Sequence, residues 1–506
     1  MEGDHTQPLL TKFHATTYKE NENKSNIANG DQHYYHVVYQ PPSTFLRDVC
    51  MEAKMIWYIA GPAILTSLFQ YSLAFVTQTF VGHLGTLELA AVGLQNLVIS
   101  GIGFGVMVGM GSALETLCGQ AYGAGQPKVL GIYMQRSWVI LLTTALILTP
   151  VYVFASPILT LLGQDPEAAD VAGKYSVWML PQLFAYALNF PVQKFLQAQS
   201  KVMAMAWISL GTLVVHIGLS WLAIFGLDLG LVGAAVTLNA SWCVLVVGQV
   251  LYVFYWCDDT WTGFSWLAFA DLAGFVGLSL ASAVMLCLEY WCFMGLILLA
   301  GLLKNAKLEL DAASICMNVE GWLFMFPMGF LAASSVRVSN ELGAGRPKAA
   351  KFSVWVMVSI SIVIQSVFVV LILTTRKEFP ALFTDDKLVM AKVSKLACFL
   401  SVSIFLCSVQ PILSGVAIGA GWQALVAYVN VGCYYLVGLT IGCILGFKFN
   451  FGLEGLWSGV IFGVAVQTII LLVITLCTNW EKEAALAQQR VSTWGKSTED
   501  SPTLYT

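Results

Sequence analysis

The sequence predicts an all-α polytopic membrane protein with twelve transmembrane helices in two pseudo-symmetric six-helix lobes. Three observations lead there. The 506 residues are 58% hydrophobic and only 11% charged, where a soluble domain carries about 25% charged residues. Apolar runs of about 20 residues or more recur along the chain, each long enough to cross a hydrocarbon core of about 30 Å. The chain is also written twice. Gly343-Ala344-Gly345-Arg346-Pro347-Lys348 repeats Gly123-Ala124-Gly125-Gln126-Pro127-Lys128, which stands 220 residues earlier. Leu87-Glu88-Leu89-Ala90-Ala91 returns as Leu308-Glu309-Leu310-Asp311-Ala312-Ala313, Pro191 as Pro411, and Gly230-Leu231-Val232-Gly233 as Gly452-Leu453-Glu454-Gly455. Such a repeat places the functional region where the two copies meet.

In chain order, residues 1–50 are polar and aperiodic and read as a disordered cytosolic tail. Within it, Gln7-Pro8-Leu9-Leu10 after Glu2 and Asp4 has the form of an acidic dileucine sorting signal. Twelve spans follow at 55–80, 87–116, 130–155, 172–195, 202–226, 231–256, 275–301, 308–336, 349–374, 391–417, 422–446 and 453–478. Runs of this length far exceed barrel strands, so they are read as helices. They divide into an N-lobe at 51–256, a cytosolic linker at 257–274 and a C-lobe at 275–478. The linker carries Asp258, Asp259 and Asp271. A polar cytosolic tail at 479–506 opens with an amphipathic stretch from Glu481 to Arg490.

Six spans per copy give both copies the same orientation, so both Gly-Ala-Gly turns lie on one face. In the first half, Lys12, Lys19, Lys24, Arg47, Lys54, Lys128, Lys194 and Lys201 share the face of the amino terminus. The second half is mixed. Arg337, Arg346, Lys348 and Lys351 agree, whereas Lys304, Lys307, Arg376, Lys377 and Lys387 fall opposite. With the first half dominant, both tails are expected in the cytosol.

Composition also excludes. No basic tract supports nucleic-acid binding. Most of the twelve cysteines, such as Cys243, Cys287, Cys316, Cys398, Cys407 and Cys443, fall inside apolar runs and read as small hydrophobes. No Cys/His grouping suggests a metal. The polar start and late first apolar run do not read as a cleavable signal peptide.

The Gly-Ala-Gly-x-Pro-Lys stretches lack the Ser or Thr after Lys that a phosphate loop needs. They read as tight turns, with Gly123, Gly125, Gly343 and Gly345 supplying unusual backbone and Pro127 and Pro347 starting the next helix. Gly101, Gly105 and Gly109 share one helix face and read as a close-packing stripe. Prolines also lie in or near spans, at Pro62, Pro181, Pro191, Pro327 and Pro411. A shared kink at the matched Pro191 and Pro411 would open a cleft between the lobes; the alternative is ordinary membrane-helix proline.

Buried acids are the sharpest signal, because ionisable groups at mid-membrane are costly and mark ion or proton routes. Glu289 lies near the middle of span 7, in Met285-Leu286-Cys287-Leu288-Glu289-Tyr290-Trp291-Cys292. Glu320 lies in span 8, in Asn318-Val319-Glu320-Gly321-Trp322. Each is about twelve residues, or about 18 Å, from the outer loop. On antiparallel neighbours the two carboxyls reach similar depth, and face to face they would share a proton. The alternative is that Glu320 faces the aqueous cavity unpaired. Glu115 is expected to brace the turn at Gly119-Gln120-Ala121-Tyr122. His216 reads as a packing histidine rather than a relay. Tyr290 and Trp291, beside Glu289, are expected cavity walls.

Four stretches resemble plant members of the multidrug and toxic compound extrusion (MATE) family. They are Thr79-Phe80-Val81-Gly82-His83-Leu84-Gly85, the run from Ala113 to Gly125, the run from Arg337 to Gly345, and the run from Gln410 to Gln423. The likeness covers residues 45–480. It implies the MATE fold, alternating access, and export of organic solutes in exchange for H⁺, or Na⁺ in some members. The family's span-7 carboxylate matches Glu289. Two positions depart. Many relatives carry Asp on span 10 where this chain has Cys407, and prokaryotic relatives carry Asp in span 1 where it has Gln78. Glu320 is expected to replace the lost span-10 acid. Cavity-lining candidates are Tyr290, Asn318, Trp322, Cys407, Gln410 and Gln78.

The functional expectation is a proton-coupled antiporter, not an enzyme, with H⁺ as coupling ion and no cofactor. It would export flavonoid- or xenobiotic-like solutes across the vacuolar or plasma membrane, the vacuolar one favoured by the dileucine. The rival is an anion (chloride) channel of the vacuolar membrane. Expected partners are a small organic solute or anion and the lipid bilayer, with the protein a monomer.

Overall fold

The computed structural model describes residues 45–270, 272–303 and 306–499. The dileucine stretch, Lys12, Lys19, Lys24, Asp271 and Lys304 lie outside them. The N-lobe comprises α1 (Phe45–Val81), α2 (Thr86–Gly123), α3 (Val129–Val153), α4a (Pro166–Trp178) with α4b (Leu180–Ala198), α5 (Val202–Gly226) and α6 (Gly230–Trp256). The C-lobe comprises α7 (Leu272–Ala300), α8 (Ala306–Gly343), α9 (Pro347–Thr375), α10a (Lys387–Leu406) with α10b (Gln410–Ala420), α11 (Gln423–Lys448) and α12 (Gly452–Cys477). A final helix, α13, spans Trp480–Glu499. Eleven of these passages are long and apolar enough to cross a membrane, and α4 supplies the twelfth in two pieces. The protein is a multi-pass membrane protein.

The spans lie where the apolar runs placed them, with three corrections at the margins. α1 begins at Phe45, so residues 45–50 are helical rather than part of a tail. α7 begins at Leu272, which shortens the linker. The carboxy-terminal tail is a helix packed on the C-lobe, because Trp480, Ala484, Ala487 and Val491 make one buried stripe. That stripe meets Val338 and Leu342 of α8, Ala350 and Val354 of α9, and Val416 and Ala420 of α10b. The start of α1, α13, the α2–α3 and α8–α9 turns and the linker therefore share one face, here the tail face.

The two lobes place their prolines differently relative to the helix breaks. In the C-lobe the break at Cys407–Val409 immediately precedes Pro411. In the N-lobe the break falls at Met179, before Pro181, while Pro191 lies inside the continuous α4b. A proline ring removes one backbone donor, and close neighbours in a bundle can absorb that loss without a break.

The two turns are copies. Gly125 and Gly345 have φ of 73° and 70°, backbone that favours glycine. Around them Ala124 N donates to Gln120 O and Gln126 N to Ala121 O, at 3.0 and 2.9 Å. Ala344 N to Asn340 O and Arg346 N to Glu341 O repeat the pattern at 3.0 and 2.8 Å. This is the helix-ending motif that satisfies the last carbonyls. Gly123 and Gly343 do different work. Each is pressed on the opposite lobe, Gly123 on the Asn340 carbonyl and Gly343 on the Gln120 carbonyl.

The lobes meet along α1 with α8 and α2 with α7, and α2 also crosses α8. Gly105 and Gly109 face Cys287 and Ala283 of α7 in the second seam, the close approach that small residues permit.

Candidate functional site

Glu289 and Glu320 both turn into the C-lobe, and α10 receives both. Glu289 Oε1 accepts from Gln410 Nε2 at 3.1 Å. Glu320 Oε1 accepts from Ser403 Oγ. Ser403 is on α10a and Gln410 opens α10b, so the carboxyls hold the two sides of the Cys407–Val409 break. The expected carboxyl–carboxyl pair is thus not formed: each acid is bonded to α10 instead. Cys407, at the position of the absent acid, is buried and lines a small crevice with Glu320, Leu323, Pro327, Gln365 and Ile404. Glu320 therefore reaches the space beside Cys407, and the alternative of an unpaired acid is corrected by its bond to Ser403.

A neutral polar chain extends from Glu289. Gln410 Nε2 also lies 3.2 Å from Ser414 Oγ and 3.5 Å from Tyr434 OH. Tyr434 OH donates to Gln467 Oε1 at 2.8 Å, and Gln467 Nε2 to Asn430 Oδ1 at 2.8 Å. Asn430 Nδ2 closes the chain on Met285 O at 2.9 Å, one turn before Glu289. This chain ties α7, α10b, α11 and α12 around one acid. Glu289 Oε2 is buried and has no protein partner, which leaves one oxygen for a proton or water. Tyr434 belongs to a π-helical stretch, Val431–Leu439; such local widening is frequent at functional sites.

The other expected wall residues scatter. Tyr290 meets Phe104 of the N-lobe edge-on at 5.7 Å. Trp322 meets Tyr71 and Phe75 of α1 at 5.3 and 5.4 Å. Both sit on inter-lobe seams. Asn318 is exposed and donates to Ser314 O of its own helix at 2.8 Å, which removes it from the acid cluster. Gln78 lies in the N-lobe with its side chain beside Gly93 of α2.

Ion pairs brace the tail face. Arg337 of α8 grips Glu52 of α1 across the lobes through Nε–Oε1 at 3.0 Å and Nη2–Oε2 at 3.1 Å. Arg337 Nη1 also meets Glu341 Oε1 at 2.9 Å, and Arg346 Nε lies 3.3 Å from Glu341 Oε2. Glu115 pairs with Lys194 of α4b at 2.7 Å, so it braces two helices rather than the turn it was expected to cap. His216 is fully buried between Thr77 Oγ1 at 3.0 Å and Ser241 Oγ at 2.8 Å, the surroundings of a packing histidine.

Sequence reasoning missed Ser403, Tyr434, Asn430 and Gln467. A signal existed for two of them, because Asn430 and Tyr434 stand four apart on one helix face. It also missed the Glu52–Arg337 pair, whose members are 285 residues apart.

Comparison with known proteins completes the description. The MatE family model matches residues 62–222 and 281–444. Protein DETOXIFICATION 33 of Arabidopsis thaliana is 57% identical over 450 residues, covering 89% of this chain and 93% of the relative. Protein DETOXIFICATION 29 of the same plant is 53% identical, covering 90% and 92%. The crystal structure of the eukaryotic MATE transporter AtDTX14 superposes with a TM-score of 0.85 at 37% identity, covering 88% of this chain and 99% of that one. The Vibrio cholerae MATE transporter VcmN in its bent form shares the fold, with a TM-score of 0.71 at 19% identity, covering 87% and 99%.

Proposed function

This chain belongs to the MatE family of membrane transporters, and from that premise we propose that it is a proton-coupled antiporter exporting organic solutes from the cytosol. The carrying observation is the placement of Glu289 and Glu320 on the two sides of the α10 break. An acid bonded to neutral donors inside a membrane lobe is a group whose charge depends on which compartment reaches it. In this reading Glu289 releases its proton while the site faces the cytosol, and the solute is taken up. A proton arriving from the acidic side returns to Glu289, and the solute leaves. Glu320 stands in for the acid that Cys407 lacks, through Ser403 on the far limb of the same break.

The tail face is the cytosolic one in this scheme, with both termini in the cytosol and the vacuolar membrane as the favoured location. The inter-lobe contacts on the tail face, Arg337 with Glu52 and the close approach at Gly123 and Gly343, support alternating access over the continuous pore of an anion channel, the second reading that the missing span-10 acid raised. The solute is of the flavonoid or xenobiotic type. The protein acts as a monomer, with no cofactor and no enzymatic step.

The test is uptake by proteoliposomes carrying an imposed pH gradient, over a panel of flavonoids, alkaloids, citrate and chloride. Glu289→Gln is expected to abolish gradient-driven uptake and Glu320→Gln to weaken it. Unchanged coupling in Glu289→Gln would remove the acid from the mechanism. Single-channel currents without a gradient requirement would favour the channel.

A further inference from the structure

The inner half of α10 has an unusual position. α10b is eleven residues long, Gln410 to Ala420, and every one is buried. At 1.5 Å per residue it is a rod about 16 Å long. It has a joint at each end. At the outer joint, Cys407, Ser408 and Val409 fold tightly on Ser403, Phe405 and Leu406 carbonyls at 3.0, 3.0 and 3.1 Å. At the inner joint, Gly421 turns left-handed with φ 83°.

The rod's outer end holds the acid, since Gln410 donates to Glu289. Its inner end holds the other lobe. The last carbonyls of a helix have no partner within it. Here Ile418 O accepts from Thr116 Oγ1 at 2.5 Å, and Gly419 O accepts from Gln120 Nε2 at 3.0 Å. Thr116 and Gln120 stand one turn apart on α2, in the N-lobe. Gln423, just past the inner joint, donates to Thr116 Oγ1 at 2.7 Å. The third carbonyl, Ala420 O, accepts from Arg490 Nη1 of α13 at 2.8 Å.

We propose that α10b is the lever that links the coupling acid to the tail-face gate: Gln410 senses Glu289 at one end, and Thr116 and Gln120 latch the N-lobe to the rod's last carbonyls at the other. This rests on the reading of Glu289 as the coupling acid. While Glu289 is charged, its bond from Gln410 is charge-assisted and fixes the rod's outer end. A proton on Glu289 weakens that bond, the rod tilts on its two joints, and the carbonyls leave Thr116 and Gln120. The titratable groups around Glu289 are Tyr434 of α11, Cys407 of α10, and Tyr290 and Cys292 of its own helix. Glu320 lies beyond Cys407. Among the described residues none of these is a cation, so Glu289 itself is the group that switches.

The experiment places spin labels at Lys128→Cys and Lys348→Cys, exposed and matching positions on the two lobes. The exposed Cys50, Cys243, Cys398 and Cys477 are replaced first. Distances are read by pulsed EPR in liposomes at alkaline and acidic pH. The parent is expected to be short, hence closed, at alkaline pH and longer at acidic pH. The double variant Thr116→Val with Gln120→Leu is expected to shift the closed-to-open ratio about 150-fold toward open at alkaline pH, the equivalent of the three hydrogen bonds that Thr116 and Gln120 make across the lobes. Thr116→Ser, which keeps the hydroxyl donor, is expected to behave as the parent. Gln410→Leu, which cuts the other end of the rod, is expected to make the distance independent of pH. A pH response unchanged in both the double variant and Gln410→Leu, but lost in Glu289→Gln, would overturn the lever and leave the acid's role standing. A response that persists in Glu289→Gln would overturn the acid's role itself.

Discussion

Arg337 shows what a single side chain contributes to the contact between lobes on the tail face. Its guanidinium answers two buried carboxylates at once, Glu52 of the N-lobe in a two-bond fork and Glu341 of its own helix. Only a planar fork can satisfy Glu52 through two parallel bonds. Arg337→Met leaves the buried carboxylates of Glu52 and Glu341 without it, with Arg346 the remaining partner of Glu341. Breaking a buried pair by removing one partner costs about 3–5 kcal/mol. Thermal unfolding of purified protein is therefore expected to rank the parent above Arg337→Lys, and Arg337→Lys above Arg337→Met. Equal midpoints for the parent and Arg337→Met would show that the pair holds nothing. At this scale the sequence was partly legible. Glu289 and Glu320 stood out because charge is rare in apolar runs. Ser403, Gln467 and Arg337's partner Glu52 did not, because neutral polar residues are common in such runs and distant partners leave no spacing to read.

The Gly-Ala-Gly turns carry the same lesson for elements. Two glycines of each motif look alike in sequence yet answer to different constraints. Gly345 needs its left-handed backbone, with φ 70°, so Gly345→Ala is expected to cost about 1 kcal/mol locally. Gly343 has helical backbone but abuts the Gln120 main-chain carbonyl of the opposite lobe. A methyl group there has nowhere to go unless the lobes separate. Gly343→Ala, and by symmetry Gly123→Ala, is expected to lengthen the Lys128–Lys348 label distance at alkaline pH, whereas Gly345→Ala and Gly125→Ala leave it unchanged. The reverse ranking would show that the turns, not the seam, set the closure. The turns themselves were legible because glycine and proline punctuate the chain. A proline follows each helix break by two residues, Pro181 in the N-lobe and Pro411 in the C-lobe. Pro411 does break α10, but Pro191 is carried within α4b, because tertiary contacts decide whether a lost donor matters. The amphipathic stripe of α13 was visible as well. Its seat was not, since three other helices supply it.

For the whole molecule, the proposed rocking of the lobes needs a joint that belongs to one of them or to neither, and the bonds of the linker assign it to the N-lobe. Gln135 of α3 clasps the linker from both sides, with Nε2 to Gly263 O and Oε1 from Ser265 N, each at 2.9 Å. Arg136 Nε donates to Leu267 O at 3.2 Å. Thr260 Oγ1 donates to Gln199 Oε1 at 2.9 Å, and Thr260 O accepts from Gly131 N at 3.2 Å. Trp261 stacks on Phe254 of α6 at 5.1 Å. Repeat periodicity showed that two lobes exist, but it was silent on this attachment, because a linker has no counterpart in the other copy. With Thr260 to Leu267 fixed to the N-lobe, the change of angle between lobes must be taken up close to the start of α7 at Leu272. Thr262 is exposed within the fixed part, as are Lys128 in the N-lobe and Lys348 in the C-lobe. A label at Thr262→Cys is therefore expected to keep one distance to Lys128→Cys at every pH, while its distance to Lys348→Cys changes as the tail face opens. If instead the Thr262–Lys128 distance follows pH, the linker is released during the cycle and the lobes move on a longer tether than these bonds imply. In that case Gln135→Leu, which removes both clasping bonds, should leave transport unaffected, whereas a fixed linker predicts that the same substitution slows it.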